Sequence, residues 1–364
     1  MSKKKLIFIV PTLNKGGAER VVSLLANHFS DEFLVSVISL GSEAPQYDVK
    51  AEFISLNLGA RKNIYMKVFN SLLRGVRIRK IIKRKRPDAV ISFMESANIS
   101  VILATRMLAW DGSLIVSVRN NPSKFPWYYL WAIKILYKFP HKVVAPSLGI
   151  LKYLKAQIHN NSGFDFIPNP VDLRNVRRQA ELPEESTLQL PEKYILAVGR
   201  LTYQKGFDRL ISIFSKLKNK DLHLVILGEG ELRADLTRLI EFHELEGRVI
   251  MPGVADNPFP IYRNAVCLAL TSRYEGWPNV INEAIASSCP VVSYNCNYGP
   301  NEILNNHNGF LVEEDDEEGF IDAISVLHEN QEIRGSIINN GLKNVKKYSV
   351  EKISLNWLEI AGLN

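Results

Sequence analysis

The hydrophobic positions of this chain fall into short continuous runs separated by amphipathic stretches, and the N-terminal half shows the pattern first. Continuous apolar runs of this length are typical of parallel strands that are buried on both faces. The predicted strands lie at 6–10, 33–40, 53–56, 89–93, 114–118 and 143–145. The stretches between them carry apolar side chains at helical spacing. The predicted helices lie at 18–29, 65–85 and 127–139.

The second half repeats this alternation after a break rich in proline. The break at 167–172 cannot continue a helix or a central strand, and a polar stretch follows it to Pro191. The predicted strands beyond it lie at 194–198, 222–227, 249–252, 266–270 and 291–294. The predicted helices lie at 206–217, 231–245 and 318–329, with one more that opens at Pro278.

Strand–helix alternation in both halves predicts an α/β protein with two doubly wound, Rossmann-like domains. We place an N-terminal domain at 1–167 and a C-terminal domain at 168–348. Residues 349–364 are predicted to form a helix that packs back on the N-terminal domain. Ligands of such sheets bind beyond the carboxyl ends of the strands, so we expect the site in a central cleft that the two domains face.

Composition narrows the class of protein. The chain has 364 residues, of which 46% are hydrophobic and 23% charged, as in globular proteins that are soluble in water. No apolar run approaches the eighteen or so residues that a transmembrane helix needs. The run at 6–10 is too short for a signal peptide and lacks a cleavage site, so we expect a cytoplasmic protein. The three cysteines have no metal-ligand spacing and are interpreted as core thiols.

The net charge of +7 is unevenly distributed. Residues 1–167 hold 25 Lys and Arg against 10 Asp and Glu, whereas residues 168–364 hold 20 against 28. The predicted helix at 65–85 concentrates the basic side chains. This distribution indicates an anionic partner for the N-terminal half, either nucleic acid or an anionic membrane face.

Candidate chemistry centres on residues 273–284. Pro278 is predicted to be the first residue of a helix, because proline has no N–H to lose there. Glu275 then lies in the loop before the helix and Glu283 in its second turn. The unpaired N–H groups at a helix N-terminus suit phosphate oxygens, so this stretch is consistent with a sugar-nucleotide site. The alternative is a surface helix with two solvated glutamates.

Three further segments follow strands of the second half and suit the same ligand. The loop that begins at Gly199 carries Arg200 and Lys205, which are the usual ligands of a diphosphate. Gly228 begins a turn without side-chain bulk, and the backbone at Val254 could pair with the edge of a base.

The ordered set of motifs resembles the family-4 glycosyltransferases, which are retaining enzymes of the GT-B fold. The matching segments are Gly-Arg-Leu-x₃-Lys-Gly at 199–206, Leu-Gly-Glu-Gly at 227–230, Glu-x₇-Glu at 275–283, Gly-Gly-Ala-Glu-Arg at 16–20, Ile-Pro-Asn-Pro-Val-Asp at 167–172, Gly-Pro-Asn-Glu at 299–302 and Asn-Gly-Phe-Leu-Val at 308–312. They extend over nearly the whole chain, and together they are far more specific than any one of them.

The resemblance implies a role for individual positions. Arg200 and Lys205 would hold the donor diphosphate and stabilise it as it leaves, and Glu275 would contact the transferred sugar. Both cations lie in a predicted loop, so we expect their loss to leave folding intact. The implied donor-binding residues are Gly16, Gly17, Gly199, Gly228, Val254, Asn279, Val280 and Glu283. The family needs no metal and no cofactor, and this chain carries no Asp-x-Asp motif.

One position departs from the family pattern. Many relatives have a histidine after the strand that ends here at Val118, and this chain has Arg119. Either Arg119 replaces that contact with the donor sugar, as a catalytic residue, or it faces an anionic acceptor.

The resemblance and the charge distribution together indicate an acceptor in bacterial surface-glycan synthesis. We predict a peripheral protein on the inner face of the cytoplasmic membrane that acts on a polyprenyl-diphosphate-linked saccharide with a nucleotide-sugar donor, UDP-sugar favoured. Such acceptors include precursors of lipopolysaccharide and O-antigen. The residues assigned to the acceptor and the membrane are Arg77, Lys80, Arg84 and Glu95. The alternatives are a sugar-nucleotide epimerase of the same fold and a nucleic-acid-binding protein, although the basic helix lacks the aromatic side chains that stack on bases.

Overall fold

All pairings between the named strands are parallel, and they form two separate sheets. The structure is a computed structural model that describes residues 3–42, 44–59, 64–106, 108–158, 163–183 and 188–363. The chain forms two compact units: unit 1 comprises Met1–Pro170 with Val350–Asn364, and unit 2 comprises Val171–Ser349. Each unit has one sheet with helices between its strands, which confirms the predicted α/β fold class.

Unit 1 contains a seven-stranded sheet of order β3-β2-β1-β4-β5-β6-β7. Its strands are β1 Lys5–Val10, β2 Leu34–Ser39, β3 Glu52–Ser55, β4 Ala89–Phe93, β5 Ser113–Ser117, β6 Lys142–Ala145 and β7 Phe164–Phe166. Its helices are α1 Gly17–Phe29, α2 Ile64–Lys85, α3 Glu95–Arg106, α4 Trp127–Leu136, α5 Leu148–Gln157 and, after unit 2, α14 Val350–Ala361. The strand order reverses between β1 and β4, which is the switch point where such sheets bind ligands.

The core of unit 1 depends on helix α14. Trp357 is fully buried, and its ring lies 5.5 Å from that of Phe93 at the end of β4. Ile353 belongs to the same buried cluster as the β1 residues Leu6 and Phe8. Helix α14 also packs against α1. The segment 350–361 is therefore an integral part of unit 1.

Unit 2 contains a six-stranded sheet of order β10-β9-β8-β11-β12-β13. Its strands are β8 Tyr194–Val198, β9 His223–Leu227, β10 Val249–Gly253, β11 Cys267–Leu270, β12 Val291–Tyr294 and β13 Phe310–Val312. Its helices are α6 Leu173–Ala180, α7 Phe207–Ser215, α8 Arg233–Phe242, α9 Phe259–Asn264, α10 Asn279–Ala286, α11 Pro300–Ile303, α12 Glu317–Glu329 and α13 Gln331–Asn344. Because β9, β8 and β11 are consecutive neighbours, the loops at their carboxyl ends lie side by side.

The core of unit 2 is built from the apolar faces of its helices against this sheet. Phe214 of α7 and Phe320 of α12 are fully buried, and the ring of Phe320 lies 4.8 Å from that of Tyr294 on β12. All three cysteines are buried, as the sequence predicted. Burial raises the pKa of the Cys267 thiol to about 12, which makes it an inert core group.

No helix in the described part of the chain is long and apolar enough to cross a lipid bilayer.

Candidate functional site

Unit 2 brings the segments at the ends of β8 and β9 together through a close backbone contact. Gly228 has a φ of +144°, and a Cβ atom on it would lie 1.9 Å from the carbonyl oxygen of Gly199. The Leu201 N–H donates to the carbonyl of Glu229 at 3.0 Å, which continues the contact. Only glycine fits at position 228, because any side chain would collide with backbone. The two glycines predicted to bind the donor therefore also fix the shape of the loop that carries the cations.

The same loop is tied to the segment that follows β11. The Thr271 hydroxyl donates to the carbonyl of Gly206 at 2.9 Å, and Gly206, with a φ of +64°, has no room for a Cβ atom there. Arg273 donates to the Tyr203 carbonyl at 2.9 Å and forms a two-point ion pair with Asp208 on α7. The sequence analysis gave neither Arg273 nor Asp208 a role, because nothing along the chain shows that residues 65 positions apart will meet.

These connections bring together two of the residues assigned to catalysis. Lys205 Nζ lies 2.7 Å from Glu275 Oε1, and both side chains are largely buried, with 16% and 6% of their surface exposed. The two residues are 70 positions apart, and the sequence predicted a role for each without predicting the contact. A buried pair of this kind holds both side chains in one geometry and leaves neither charge uncompensated. Glu275 is not a solvated surface carboxylate.

Arg200 lies in the same loop but in a different environment. Its side chain is exposed, and its guanidinium has no hydrogen bond or ion pair with any residue that the structure describes. One cation of the loop is thus already paired, whereas the other is free to bind an anion with several donors at once.

Helix α10 begins one residue later than predicted. Pro278 precedes the helix, with an extended ψ of 95°, and Asn279 is the first helical residue. Asn279 and Val280 are half-buried at an N-terminus that no side chain caps. Glu283 lies in the second turn, as predicted, and is buried, with the Tyr262 hydroxyl 3.5 Å from its Oε2. The start of α10 therefore places the positive end of a helix dipole one turn away from a fixed carboxylate, an arrangement that suits an anion.

The remaining donor-binding candidates lie at other strand ends. Val254 follows β10 and is 51% exposed, so its backbone is accessible. Gly17 is the first residue of α1, and Gly16 caps that helix with extended backbone that any residue could adopt. Gly16 and Gly17 belong to unit 1, and Val254 belongs to unit 2.

In unit 1, the ends of the neighbouring strands β4 and β5 carry buried polar side chains. Glu95 begins α3 directly after β4 and is 6% exposed, and Arg119 lies two residues beyond β5 and is also 6% exposed. Oε1 of Glu95 and Oδ1 of Asn98 have no hydrogen-bond partner among the described residues. Two unsatisfied buried acceptors in one helical turn are expensive to keep, so this strand end suits hydroxyl donors of a ligand.

Burial makes the carboxyl group of Glu95 a weaker acid than usual. Removal from water raises the pKa of its carboxyl from 4.5 to about 7, with the phenols of Tyr129 and Tyr137 nearby. The folded protein therefore holds a proton that the unfolded chain releases near pH 4.5. This contribution to stability is complete below pH 4.5 and is lost as the pH rises through 7, a change of about 3 kcal/mol.

We expect Glu95→Gln to remove this pH dependence. At pH 5 the variant should lie within about 1 kcal/mol of the wild type, and at pH 8 it should be more stable by up to about 3 kcal/mol, because no buried carboxylate has to ionise. Urea unfolding at the two pH values measures the difference. Glu241→Gln changes an exposed carboxylate and is the control. A Glu95→Gln protein whose stability still falls like that of the wild type between pH 5 and 8 would show that Glu95 is already ionised in the fold.

The exposed face of α2 is divided along its length. Its N-terminal part, as far as position 76, presents large apolar side chains at helical spacing, each between 37% and 54% exposed: Met66, Phe69, Leu72, Leu73 and Val76. Its second half presents the exposed cations Arg77, Lys80, Lys83 and Arg84. Arg74, which the sequence pattern groups with the basic side chains, is instead buried and donates to the carbonyls of Leu58 and Gly59. Arg77 also bonds to backbone, at the carbonyl of Leu56.

A second apolar stripe lies on α4, which like α2 packs against α3. Trp127, Trp131 and Ile135 follow one another at intervals of four residues and are 74%, 64% and 38% exposed. Exposed tryptophans at helical spacing are unusual on a surface that meets only water.

Comparison with protein-family models matches nearly the whole chain in two parts. Residues 15–175 match the model described as Glycosyltransferase Family 4, and residues 178–344 match the model described as Glycosyl transferases group 1.

Two curated relatives align over almost their full length. One is the N-acetylgalactosamine-N,N'-diacetylbacillosaminyl-diphospho-undecaprenol 4-alpha-N-acetylgalactosaminyltransferase of Campylobacter jejuni, which is 28% identical over 98% of this chain and 99% of its own. The other is the amylovoran biosynthesis glycosyltransferase AmsD of Erwinia amylovora, also 28% identical, over 98% and 99%.

Solved structures show the same fold. A glycosyltransferase from Rickettsia africae aligns with a TM-score of 0.80 at 21% identity, over 99% of this chain and 98% of its own. Anabaena HepE in complex with UDP and glucose aligns with a TM-score of 0.80 at 18% identity, over 98% of both chains.

Proposed function

Because this chain belongs to the family-4 glycosyltransferases of the GT-B fold, we propose that it transfers a sugar, with retention of configuration, from a UDP-sugar to a polyprenyl-diphosphate-linked saccharide. The observation that carries the proposal is the arrangement in unit 2 of a buried Lys205–Glu275 pair beside the free guanidinium of Arg200. The complex of Anabaena HepE with UDP supports the choice of donor. The name of the Campylobacter relative specifies a diphospho-undecaprenol acceptor and an alpha linkage. It supports the proposed class of acceptor and the proposed retention of configuration.

Charge stabilisation at the departing diphosphate is the main catalytic device in this proposal. Arg200 binds phosphate oxygens that gain negative charge as the bond to the sugar breaks. Lys205 adds a second positive charge, and its contact with Glu275 fixes the position of both groups before the substrate arrives. Two cations at the diphosphate, one of them held in place by Glu275, can do this work without a metal ion, so we propose that the reaction needs none.

In this proposal the two glutamates bind different parts of the donor. Glu283, one turn inside α10, accepts hydrogen bonds from ribose hydroxyls, and the N-terminal end of α10 binds phosphate. Glu275, held by Lys205, accepts hydrogen bonds from hydroxyls of the transferred sugar. The ribose contacts are alike in the ground state and the transition state, whereas the sugar contacts change as positive charge develops on the sugar ring.

This division gives a prediction for kinetics. Glu283→Gln should raise KM for the donor about tenfold with little change in kcat, because it removes uniform binding. Glu275→Gln should lower kcat by about tenfold or more with a smaller change in KM. Release of nucleotide from donor is the readout, and Glu246→Gln, which changes an exposed carboxylate of unit 2, is the control. Equal changes of KM and kcat in both variants would contradict the division of roles.

The acceptor is assigned to unit 1. The unsatisfied oxygens of Glu95 and Asn98 provide acceptors for saccharide hydroxyls. The divided face of α2 suits a lipid-linked substrate at an anionic membrane, because apolar side chains enter the interface while the cations beyond them meet phosphate groups. Trp127 and Trp131 on α4 have the amphipathic rings that favour a membrane interface. We therefore propose a peripheral location on the inner face of the cytoplasmic membrane.

A screen of donors tests the proposal directly. Wild-type protein is incubated with UDP-, GDP- and ADP-sugars, with and without a lipid-linked acceptor, and the released nucleotide is measured. We expect release from a UDP-sugar, stimulated by the acceptor and unchanged by EDTA, and an α-linked product from an α-linked donor. A strict requirement for a divalent cation would refute the metal-free mechanism. Epimerisation of the donor sugar without transfer would refute the transferase assignment.

A further inference from the structure

The guanidinium of Arg119 is held inside unit 1 by aromatic rings. It lies 4.6 Å from the ring centroid of Phe93 at the end of β4 and 5.4 Å from that of Trp357 on α14. Its Nη1 donates to Oδ1 of Asn169. Only 6% of the residue is exposed, so the side chain is fixed in position before any ligand arrives.

The charge of Arg119 is not compensated by any group that the structure describes. No described carboxylate pairs with it, and Nε and Nη2 have no hydrogen-bond partner within the described ranges. Burial lowers the pKa of the guanidinium to about 9, with no opposing contribution from a nearby anion. A buried charge without a partner is costly, and proteins keep one chiefly where an anion will pair with it.

The two unpartnered nitrogens define the geometry of that anion. In a guanidinium group the Nε–H and one Nη2–H point the same way and form one edge, which matches two oxygens of a carboxylate or phosphate. The opposite end of the group is already used by Asn169. A neutral hydroxyl could satisfy one of these hydrogens but would leave the charge uncompensated.

Two further buried donors belong to Trp357, whose ring contacts the guanidinium, and to Asn121, two residues along the chain. Nε1 of Trp357 and Nδ2 of Asn121 are also buried without an acceptor in the described part of the chain. Oδ1 of Asn121 already accepts hydrogen bonds from the backbone N–H and the hydroxyl of Ser123, at 3.0 and 2.7 Å. The Nδ2 donor of Asn121 is therefore the atom of its amide that remains unpaired. The residues after β5 thus have unpaired hydrogen-bond donors, whereas Glu95 and Asn98 after β4 have unpaired acceptors.

We propose that Arg119, clamped by Phe93 and Trp357, is an oxyanion-binding site of unit 1 that takes two oxygens of a substrate phosphate or of a sugar carboxylate. The inference rests on the proposed function only in assigning the oxyanion to a substrate. The ring of Trp357, which lies beside the guanidinium, makes helix α14 part of the surroundings of this site. The site differs from the diphosphate site of unit 2, since it uses none of the same residues.

Binding of simple anions to the full chain tests the proposal. Calorimetric titrations use inorganic pyrophosphate and glucuronate, with glucose as the neutral match for glucuronate. The Arg200→Ala background weakens anion binding at the loop of unit 2 that carries Arg200 and Lys205. In that background Arg119→Gln and Arg119→Lys are compared with Arg106→Gln, which changes an exposed arginine 3.9 Å above the ring of Phe139.

We expect both Arg119 substitutions to weaken binding of at least one anion by about tenfold or more, because lysine keeps the charge but not the two-point edge. Arg106→Gln should change nothing. Loss of pyrophosphate binding identifies a phosphate as the ligand, and loss of glucuronate binding alone identifies an acidic sugar. Unchanged affinity for both anions in the Arg119 variants, or no binding of either anion at all, would overturn the proposal.

Melting temperatures and nucleotide release complete the test of the Arg119 site. If Arg119→Gln does not fold, the melting temperature of the wild type should rise with the bound anion, and that of Arg119→Lys should rise less. A wild-type melting temperature that does not respond to either anion counts against the site. Nucleotide release by the wild type is measured separately, so failure of the glycosyltransferase proposal is distinguishable from failure of anion binding.

Discussion

Arg200→Ala is expected to lower kcat by about 10²–10³ and to leave the stability of the protein unchanged. The reason for the loss of rate is that one donor to a departing oxyanion typically contributes that much to stabilising the transition state. The reason for the unchanged stability is that the Arg200 side chain is exposed and has no partner in the described structure. Steady-state release of nucleotide and thermal unfolding measure the two effects.

Lys205→Ala should show a comparable loss of kcat together with a loss of stability. The sequence predicted that neither loop cation would matter for folding, but Lys205 compensates the buried carboxylate of Glu275 at 2.7 Å. Removing one member of a buried pair leaves the other charge uncompensated, which typically costs about 3–5 kcal/mol. Lys205→Ala combined with Glu275→Gln should recover much of that stability without recovering activity.

The control is Lys193→Ala, which breaks an exposed ion pair with Asp221 in the same unit and should change neither property measurably. Near-wild-type turnover of Arg200→Ala would remove Arg200 from the mechanism. Unchanged stability of Lys205→Ala would show that the buried pair is not formed in solution.

Reversal of three cations on α2 is expected to abolish binding to anionic vesicles. Lys80, Lys83 and Arg84 are exposed, and the structure favours this set over one that includes Arg77, whose guanidinium bonds to the backbone at Leu56. Each cation near an anionic surface contributes about 1 kcal/mol, so losing three lowers partitioning by roughly two orders of magnitude or more. Co-sedimentation with vesicles that contain phosphatidylglycerol is the measurement.

The matched control reverses three exposed lysines of unit 2, Lys218, Lys220 and Lys343. It has the same change in net charge, so it separates the effect of the α2 face from that of total charge. Activity on a lipid-linked acceptor should fall with the α2 variant, while hydrolysis of the donor continues. Wild-type co-sedimentation of the α2 variant would show that this face does not contact the membrane.

The sequence predicted the sheets well because their strands are buried on both faces. The continuous apolar runs at Ala89–Phe93, Tyr194–Val198 and Val291–Tyr294 agree with the structure to the residue. Glycine and proline marked the loops that follow them. Helix α3 was missed, because seven of its twelve residues, including Glu95 and Asn98, are buried and the usual polar stripe is weak.

The sequence predicted which residues belong to the candidate site. It did not predict how their side chains are arranged in space. Motifs at the strand ends selected Arg200, Lys205 and Glu275, but only tertiary packing shows that one cation is paired and the other is free. The clamp on Arg119 was beyond sequence reasoning for the same reason, since it joins residues from the ends of β4 and β5 with Trp357 of α14.

The return of the chain to unit 1 through α14 has a consequence for biosynthesis. A ribosome makes 1–170, then the whole of unit 2, and only then the helix whose Trp357 packs on Phe93 in the core of unit 1. Unit 2 is continuous and can therefore complete its core during translation, whereas unit 1 must wait for α14 with its apolar surface uncovered. Newly made chains should thus depend on chaperones through their first half, and a stop codon before Val350 should yield a folded unit 2 joined to an aggregation-prone unit 1.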